Sequence, residues 1–138
     1  MDESRIAAIP LFADLPEADL AAVASVASEL EFAPGKALAT QGDFGHALFA
    51  IESGTADVVI GDKTVQTVAS GDLVGEIAVL SSGRRTASVV ATSPLRVLAF
   101  FKRDVWAMDS RAPVAAQRLR AALDEHRALD ARRDSPDP

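Results

Sequence analysis

Glu76 and Arg85 are the two charged side chains whose types and spacing could do chemistry. Arg85 follows Glu76 by nine residues, across a tight Ser-Ser-Gly turn at 81–83. We expect this spacing to bring both side chains to one wall of a pocket. A carboxylate accepts hydrogen bonds from hydroxyl groups, and a guanidinium donates a bidentate pair to a phosphate. Together they suit a sugar phosphate.

The backbone around these two residues predicts further anion-binding groups. Gly75 allows a sharp turn, and the following run 76–80 contains no helix breaker and suits one short helical turn. The free N–H groups of such a turn point toward a nearby anion. On composition alone, a surface loop with an internal salt bridge fits the same residues better. The sugar-phosphate pocket and the surface loop therefore both stay open at this point.

Short predicted strands flank this segment on both sides. All eight glycines lie between residues 29 and 100, separated by runs rich in Val, Ile, Phe, Leu and Thr. Turn signals spaced about 8–12 residues apart are typical of an antiparallel barrel or roll. Gly61-Asp62 predicts a tight hairpin. The predicted strands are 30–32, 37–40, 47–53, 56–60, 63–69, 87–91 and 95–101.

Helical patterns precede and follow the strands. Residues 4–30 predict helix, because apolar residues recur there at helical spacing. A helical pattern returns near Asp104, and a longer segment, 114–129, follows Pro113. We therefore predict a mainly β fold, an antiparallel double-stranded β-roll of jelly-roll type with N-terminal helices and C-terminal lid helices. The single domain 1–138 divides into a helical part 4–30, a roll 29–101, helices 103–129 and a frayed tail 130–138.

Composition excludes several classes of function. The 138 residues suit one domain, and the absence of cysteine excludes a disulfide framework, thiolate catalysis and cysteine-ligated metals. The net charge of −6 argues against nucleic acid as the main partner. No apolar run approaches the roughly 20 residues of a membrane span, so we expect a cytoplasmic protein without membrane insertion. Two histidines, His46 and His126, are too few for an all-histidine metal site.

We expect no enzymatic activity, metal or cofactor. Ser81 and Ser82 have no neighbouring base, and the acidic side chains are scattered along the chain.

The segment 74–88 closely resembles the phosphate-binding cassette of the cyclic nucleotide-binding domain family. That family includes catabolite-activator-type regulators, regulatory subunits of cAMP-dependent kinase and cyclic-nucleotide-regulated channels. Its cassette is Phe-Gly-Glu-Leu/Ile-Ala-Leu followed by Pro-Arg-Ala/Thr-Ala-Thr/Ser. The matching residues here are Val74-Gly75-Glu76-Ile77-Ala78-Val79 and Arg84-Arg85-Thr86-Ala87-Ser88. Shorter motifs in the family's order extend the resemblance to about residues 9–128, among them Pro34-Gly35 and Gln41-Gly42-Asp43.

The resemblance implies a role for each cassette residue. Glu76 is expected to accept a hydrogen bond from the ribose 2′-hydroxyl, and Arg85 to pair with the cyclic phosphate. Gly75 is expected to let the ribose approach. Backbone N–H groups near Ala78 and Thr86 are expected to complete the phosphate cradle. The implied ligand-binding residues are Gly75, Glu76, Ile77, Ala78, Arg85, Thr86 and Ala87.

Three positions of the cassette bear on ligand choice and packing. Arg84 replaces the family's usual proline, as in the channel branch, and Val74 replaces an aromatic residue. A threonine at the position of Thr86 is associated in the channel branch with contacts to a syn guanine. Thr86 is equally well explained as a hydroxyl that bonds the phosphate. We favour cAMP as ligand, with cGMP as the second candidate.

The last predicted helix is expected to close over the bound base. Arg118, Leu119 and Leu123 are the candidates for lid or base contacts. Arg120 could also cap the base, but a plain charged face is the favoured interpretation for Arg118 and Arg120. The apolar stripe of this helix is rich in alanine, so we expect a lid that is loosely docked without ligand. Trp106 is expected in the core of the preceding helix, with a base-stacking lid as the alternative.

The resulting prediction is a cyclic nucleotide sensor that relays binding through its C-terminal helix. Its expected output is an effector protein or a weak homodimer. One alternative is a degenerate fold that lost the ligand and serves in protein interaction or dimerisation. The other is a fragment of a catabolite-activator-type transcription regulator. Only about nine residues follow Leu129, too few for a helix-turn-helix, and the polar end suggests a natural terminus, so we expect no DNA binding.

Overall fold

The computed structural model of the chain describes residues 1–75 and 84–134, with side chains as far as Glu125. Short helices come first, eight strands follow, and two helices end the described chain. In order, the elements are α1 (Glu3–Ala7), a 3₁₀ turn (Pro10–Phe12), α2 (Glu17–Val26), β1 (Ser28–Phe32), β2 (Ala37–Ala39), β3 (Ala47–Ser53), β4 (Thr55–Ile60), β5 (Lys63–Ala69), β6 (Leu73–Val74), β7 (Ser88–Ala91), β8 (Leu95–Phe101), α3 (Lys102–Arg111) and α4 (Pro113–Asp134).

The strands form two four-stranded antiparallel sheets. One sheet has the strand order β1-β8-β3-β6, and the other has β2-β7-β4-β5. Gly61-Asp62 forms the predicted hairpin, since Ile60 pairs with Lys63 across it. The predicted mainly β roll with flanking helices is confirmed. Strand β6 was not predicted, because two residues are too short to show a pattern, yet it places the chain just before Gly75 beside β3.

The alternation of side chains along β8 creates two apolar cores. Val97 and Ala99 point between the sheets and are fully buried there. Leu98 and Phe100 point the other way, into a cluster formed with the helices. Successive residues of a strand face opposite sides of its sheet, so one sheet separates the inner core from the helical layer.

The N-terminal region is more broken than the predicted helix 4–30. Proline lacks an N–H donor and restricts the residue before it, so Pro10 and Pro16 interrupt the run. The result is α1, the 3₁₀ turn and α2, and β1 already begins at Ser28. Helix α1 is fastened to the sheet by Arg5, which donates to both carboxylate oxygens of Glu52 at 2.8 and 2.6 Å. This ion pair holds the pKa of Glu52 below its ordinary value.

Trp106 is not in the core, and that expectation was wrong. Helix α3 buries Val105 and Met108, whereas Trp106 lies on its outer side with 59% of its surface exposed. The Lys102 ammonium lies 5.0 Å from the centroid of the indole ring, a cation–π contact at the surface.

Helix α4 is docked through its first half by a cap supplied from α2. The buried carboxylate of Asp19 accepts hydrogen bonds from the N–H groups of Val114 and Ala115 at 2.8 and 3.1 Å. Those N–H groups belong to the first turn, which lacks partners within the helix and carries the positive end of its dipole. This cap joins the start of α4 to α2.

Replacing Asp19 with alanine is expected to destabilise the fold by about 1–2 kcal/mol, because it removes this cap. Urea unfolding measures the change. Asp124→Ala, an exposed aspartate further along α4, is the control and should change stability by less than about 0.5 kcal/mol. Equal stability of the two variants would show that the cap does not hold α4.

Candidate functional site

The guanidinium of Arg85 is buried between two carbonyl groups and an aromatic ring. Only 8% of the residue is exposed. One terminal nitrogen donates to the Gly75 carbonyl at 3.2 Å, and the other donates to the Ala47 carbonyl at 2.6 Å. The central guanidinium carbon lies 5.6 Å from the centroid of the Phe49 ring. The side chain is thus held in one orientation by β3 and by the residue that follows β6.

Gly75 combines an unusual backbone conformation with a close approach to Arg85. Its φ is +89°, in the region that L side chains rarely adopt. A Cβ here would lie 2.4 Å from the Arg85 Nη1 atom and 3.2 Å from the Ala47 oxygen. Gly75 therefore leaves the space that the guanidinium occupies.

The loop 40–46 between β2 and β3 fixes the backbone of Arg85. The Arg85 N–H donates to the Asp43 carbonyl at 2.7 Å, and the Gly42 N–H donates to the Arg85 carbonyl at 2.9 Å. Beside them, Arg84 donates to the Gly42 carbonyl at 2.9 Å and stacks on the Phe44 ring at 4.4 Å. Both the backbone and the side chain of Arg85 are therefore anchored.

A cavity of about 350 Å³ opens beside Arg85, at the edge formed by β1 and β2. This volume is within the range of about 300–1,000 Å³ typical of small-molecule sites. The walls are largely apolar and include Phe32, Leu38, Phe44 and Phe49, with Arg85 as the buried cation. A guanidinium bordered by aromatic rings suits a ligand that combines an anionic group with an apolar or planar group.

The predicted ligand-binding residues fall into two groups. Gly75 and Arg85 are brought into contact, and exposed Thr86 and half-buried Ala87 follow directly. Glu76, Ile77 and Ala78, and with them the predicted helical turn 76–80, lie outside the described residues.

Of the three residues expected in a lid, Arg118 and Leu119 contact the helical layer and Leu123 is buried. Leu119 and Leu123 are 1% and 7% exposed, and Leu119 belongs to the core cluster of the helices. Arg118 donates to the carbonyls of Leu11, at 3.2 Å, and Ala13. The plain charged face is found at exposed Arg120, which pairs with Asp109 at 2.5 Å, but not at half-buried Arg118.

Sequence reasoning missed the Ala47 carbonyl and the Phe49 ring. Every residue has a backbone carbonyl, so the sequence cannot show which carbonyl contacts Arg85. Phe49 lies in an apolar strand, where a phenylalanine is expected for core packing alone. The Gln41-Gly42-Asp43 motif was noted, and it marks the loop that binds the Arg85 backbone.

The described residues contain no cluster of three or more His, Asp or Glu side chains that could hold a metal ion. In the part of the chain that the structure describes, no helix is both long and apolar enough to cross a membrane.

Proteins of known type are similar to this chain in sequence. A cAMP-dependent protein kinase regulatory subunit from Colletotrichum orbiculare is 33% identical over 104 residues, which cover 74% of this chain and 27% of that protein. The cyclic AMP receptor protein of Thermus thermophilus is 33% identical over 119 residues, covering 83% of this chain and 55% of the relative. The chain thus spans between about a quarter and about half of these relatives.

A comparison with solved structures finds the same kind of protein as the sequence comparison. The crystal structure of the Thermus thermophilus catabolite activator protein superposes with a TM-score of 0.78 and 31% identity, covering 91% of this chain and 62% of that one. The family model described as "Cyclic nucleotide-binding domain" matches residues 29–111, which include both sheets and α3. Since that match spans more than half of the sequence, the chain belongs to the cyclic nucleotide-binding domain family.

Proposed function

We propose that this chain is a sensor that binds cAMP in the segment around Arg85 and passes the signal to its C-terminal helix. The observation that carries the proposal is the buried guanidinium, oriented by the Gly75 and Ala47 carbonyls within a motif that matches the family's cassette. Evolutionary relatives named for cAMP, a kinase regulatory subunit and a receptor protein, support this ligand.

The proposed chemistry assigns the cyclic phosphate to Arg85. A planar guanidinium in a fixed orientation presents two parallel N–H donors to two phosphate oxygens. Because burial excludes water, this charge-assisted pair is stronger than it would be on the surface. Glu76 is assigned to the ribose 2′-hydroxyl, and the N–H groups near Ala78 and Thr86 to the remaining phosphate oxygens.

Base choice is assigned to Thr86 and to the helix that covers the ligand. Thr86 is exposed directly beside Arg85, where its hydroxyl can bond the phosphate or a guanine. We propose cAMP as the preferred ligand and cGMP as the weaker one.

The proposed relay leads from Arg85 to the helices through the loop 40–46. Asp43 and Gly42 bond the Arg85 backbone, and the His46 carbonyl accepts a hydrogen bond from the N–H of Lys102, the first residue of α3, at 2.8 Å. Helices α3 and α4 are linked in turn by the surface pair Asp109–Arg120. A shift of the loop on binding would therefore move the start of α3 and, through it, α4. An effector protein or a second copy of the chain would receive this change.

Calorimetric titration with cAMP, cGMP and 5′-AMP tests the proposed ligand. We expect submillimolar or tighter binding of cAMP, weaker binding of cGMP, and much weaker binding of 5′-AMP, which lacks the cyclic phosphate. Absence of heat and of any thermal shift with millimolar cAMP would refute the proposal. Equal binding of 2′-deoxy-cAMP and cAMP would refute only the role of Glu76.

Hydrogen exchange tests the relay. We expect the amides of residues 114–129 to exchange differently when cAMP binds, with greater protection, because the helix changes its docking. Residues 64–68 of strand β5 serve as the internal control and should exchange equally in both states. Unchanged exchange across 114–129 in a sample shown to bind cAMP would mean that α4 is fixed structure and not the output.

A further inference from the structure

We infer that Phe49 is a positioning residue of the anion site, whose ring holds the Arg85 guanidinium in its binding orientation by a cation–π interaction. This inference rests on the proposed function, because the orientation matters only if Arg85 binds the phosphate. It assigns to a core strand residue an electrostatic role that its apolar side chain does not suggest.

The geometry places the ring directly against the cation. Phe49 and Arg85 are both buried, at 5% and 8% exposed, and the guanidinium carbon lies 5.6 Å from the ring centroid. This is within the distance of about 6 Å at which the negative face of an aromatic ring attracts a cation. Burial strengthens the attraction, since little water competes for the charge.

A second ring fixes the first. Phe32 of β1 packs edge-on against Phe49, with ring centroids 6.4 Å apart and an interplanar angle of 86°. Edge-to-face pairs of this kind are favourable. Pairing of Phe49 with Val74 in β6 holds the backbone from the other side. Phe49 is thus held by contacts with both β1 and β6.

The two carbonyl hydrogen bonds do not by themselves explain why an aromatic residue stands here. They come from Ala47 and Gly75 and fix the positions of the two terminal nitrogens. The ring adds an attraction for the delocalised charge of the whole planar group, which an aliphatic side chain would lack. An arginine held in advance loses less side-chain freedom when the ligand binds, and affinity rises accordingly.

The test replaces Phe49 with phenylalanines bearing one, two and three ring fluorines in the full chain. Fluorine withdraws electron density and weakens the attraction for a cation while leaving the ring nearly the same size. We expect the Kd for cAMP to rise stepwise with each fluorine, by about 3- to 10-fold in total. Thermal unfolding and circular dichroism verify that each variant is folded.

The same fluorine series at Phe12 is the matched control, because that ring is fully buried among the helices, packs edge-on against Phe100 and does not line the cavity. We expect no trend in Kd there. If the unmodified chain binds cAMP but Kd is flat across the Phe49 series, or rises equally in both series, the assignment of Phe49 is wrong and the proposed function stands. If the unmodified chain does not bind cAMP, the proposed function fails and the assignment fails with it.

Discussion

Arg85→Ala is expected to weaken cAMP binding by about 2–5 kcal/mol, a factor of about 30 to 5,000 in Kd. The variant removes the cation assigned to the cyclic phosphate and leaves the phosphate in a buried place without its charged partner. It also removes the donor to the Gly75 and Ala47 carbonyls, so its stability must be measured by urea unfolding beside its affinity. Calorimetry at low salt extends the range in which weak binding can be measured.

Arg84→Ala is the matched control for that variant, because it removes the same charge one residue earlier. Arg84 is exposed and contacts the Gly42 carbonyl and the Phe44 ring. We expect its loss to weaken cAMP binding by less than about 10-fold, as is usual for an exposed charge. Equal effects of the two variants would show that the binding depends on general positive charge and not on the buried guanidinium.

Gly75→Ala is expected to weaken both the fold and the binding of cAMP. A side chain at a φ of +89° is strained, at a cost of about 1–3 kcal/mol. The new Cβ would also lie 2.4 Å from the Arg85 Nη1 atom, closer than such atoms approach, so the guanidinium must move. We expect a loss of at least about 10-fold in affinity, since a displaced guanidinium loses charge-assisted hydrogen bonds to the phosphate that are worth about 1.5–3 kcal/mol each.

Gly35→Ala separates the backbone strain from the collision. Gly35 has the same φ of +89°, but a Cβ there would meet no atom within 4 Å. We expect a similar loss of stability in urea and an unchanged Kd for cAMP. If Gly35→Ala weakened binding as much as Gly75→Ala, the effect would come from strain or partial unfolding. The proposed contact between Gly75 and the guanidinium would then be unnecessary.

The features of the fold that depend on local pattern could be predicted from the sequence. Alternating apolar runs and turn glycines identify seven of the strands, and Gly61-Asp62 marks its hairpin because a two-residue turn has a residue signature. Features that depend on distant contacts could not. The cap on α4 joins Asp19 to Val114, which are 95 residues apart, and nothing local indicates it. Trp106 is a large apolar residue and is therefore expected in a core. Only the packing of α3 shows that it lies on the exposed side of the helix.

In the candidate site, too, features set by local sequence could be predicted and features set by distant contacts could not. The placement of Gly75 and Arg85 in one site follows from the cassette motif, since the residue types are diagnostic, whereas the contact between them does not. The sequence does not show that the Arg85 guanidinium occupies the space where a Cβ of residue 75 would lie. This reason for a glycine at position 75 could therefore not be predicted. The Ala47 carbonyl and the Phe49 ring support Arg85 through backbone position and ring orientation. Both depend on how β3 is placed beside β6, which the sequence pattern does not show.

A crystal structure of the chain grown with cAMP tests the central claim most directly. The measured quantity is the distance between the Arg85 guanidinium nitrogens and the oxygens of the cyclic phosphate. We expect two such distances of about 2.7–3.0 Å, with the Phe49 ring still against the guanidinium and the Glu76 carboxylate at the ribose. A nucleotide bound elsewhere, or a phosphate beyond hydrogen-bond distance from Arg85, would contradict the account.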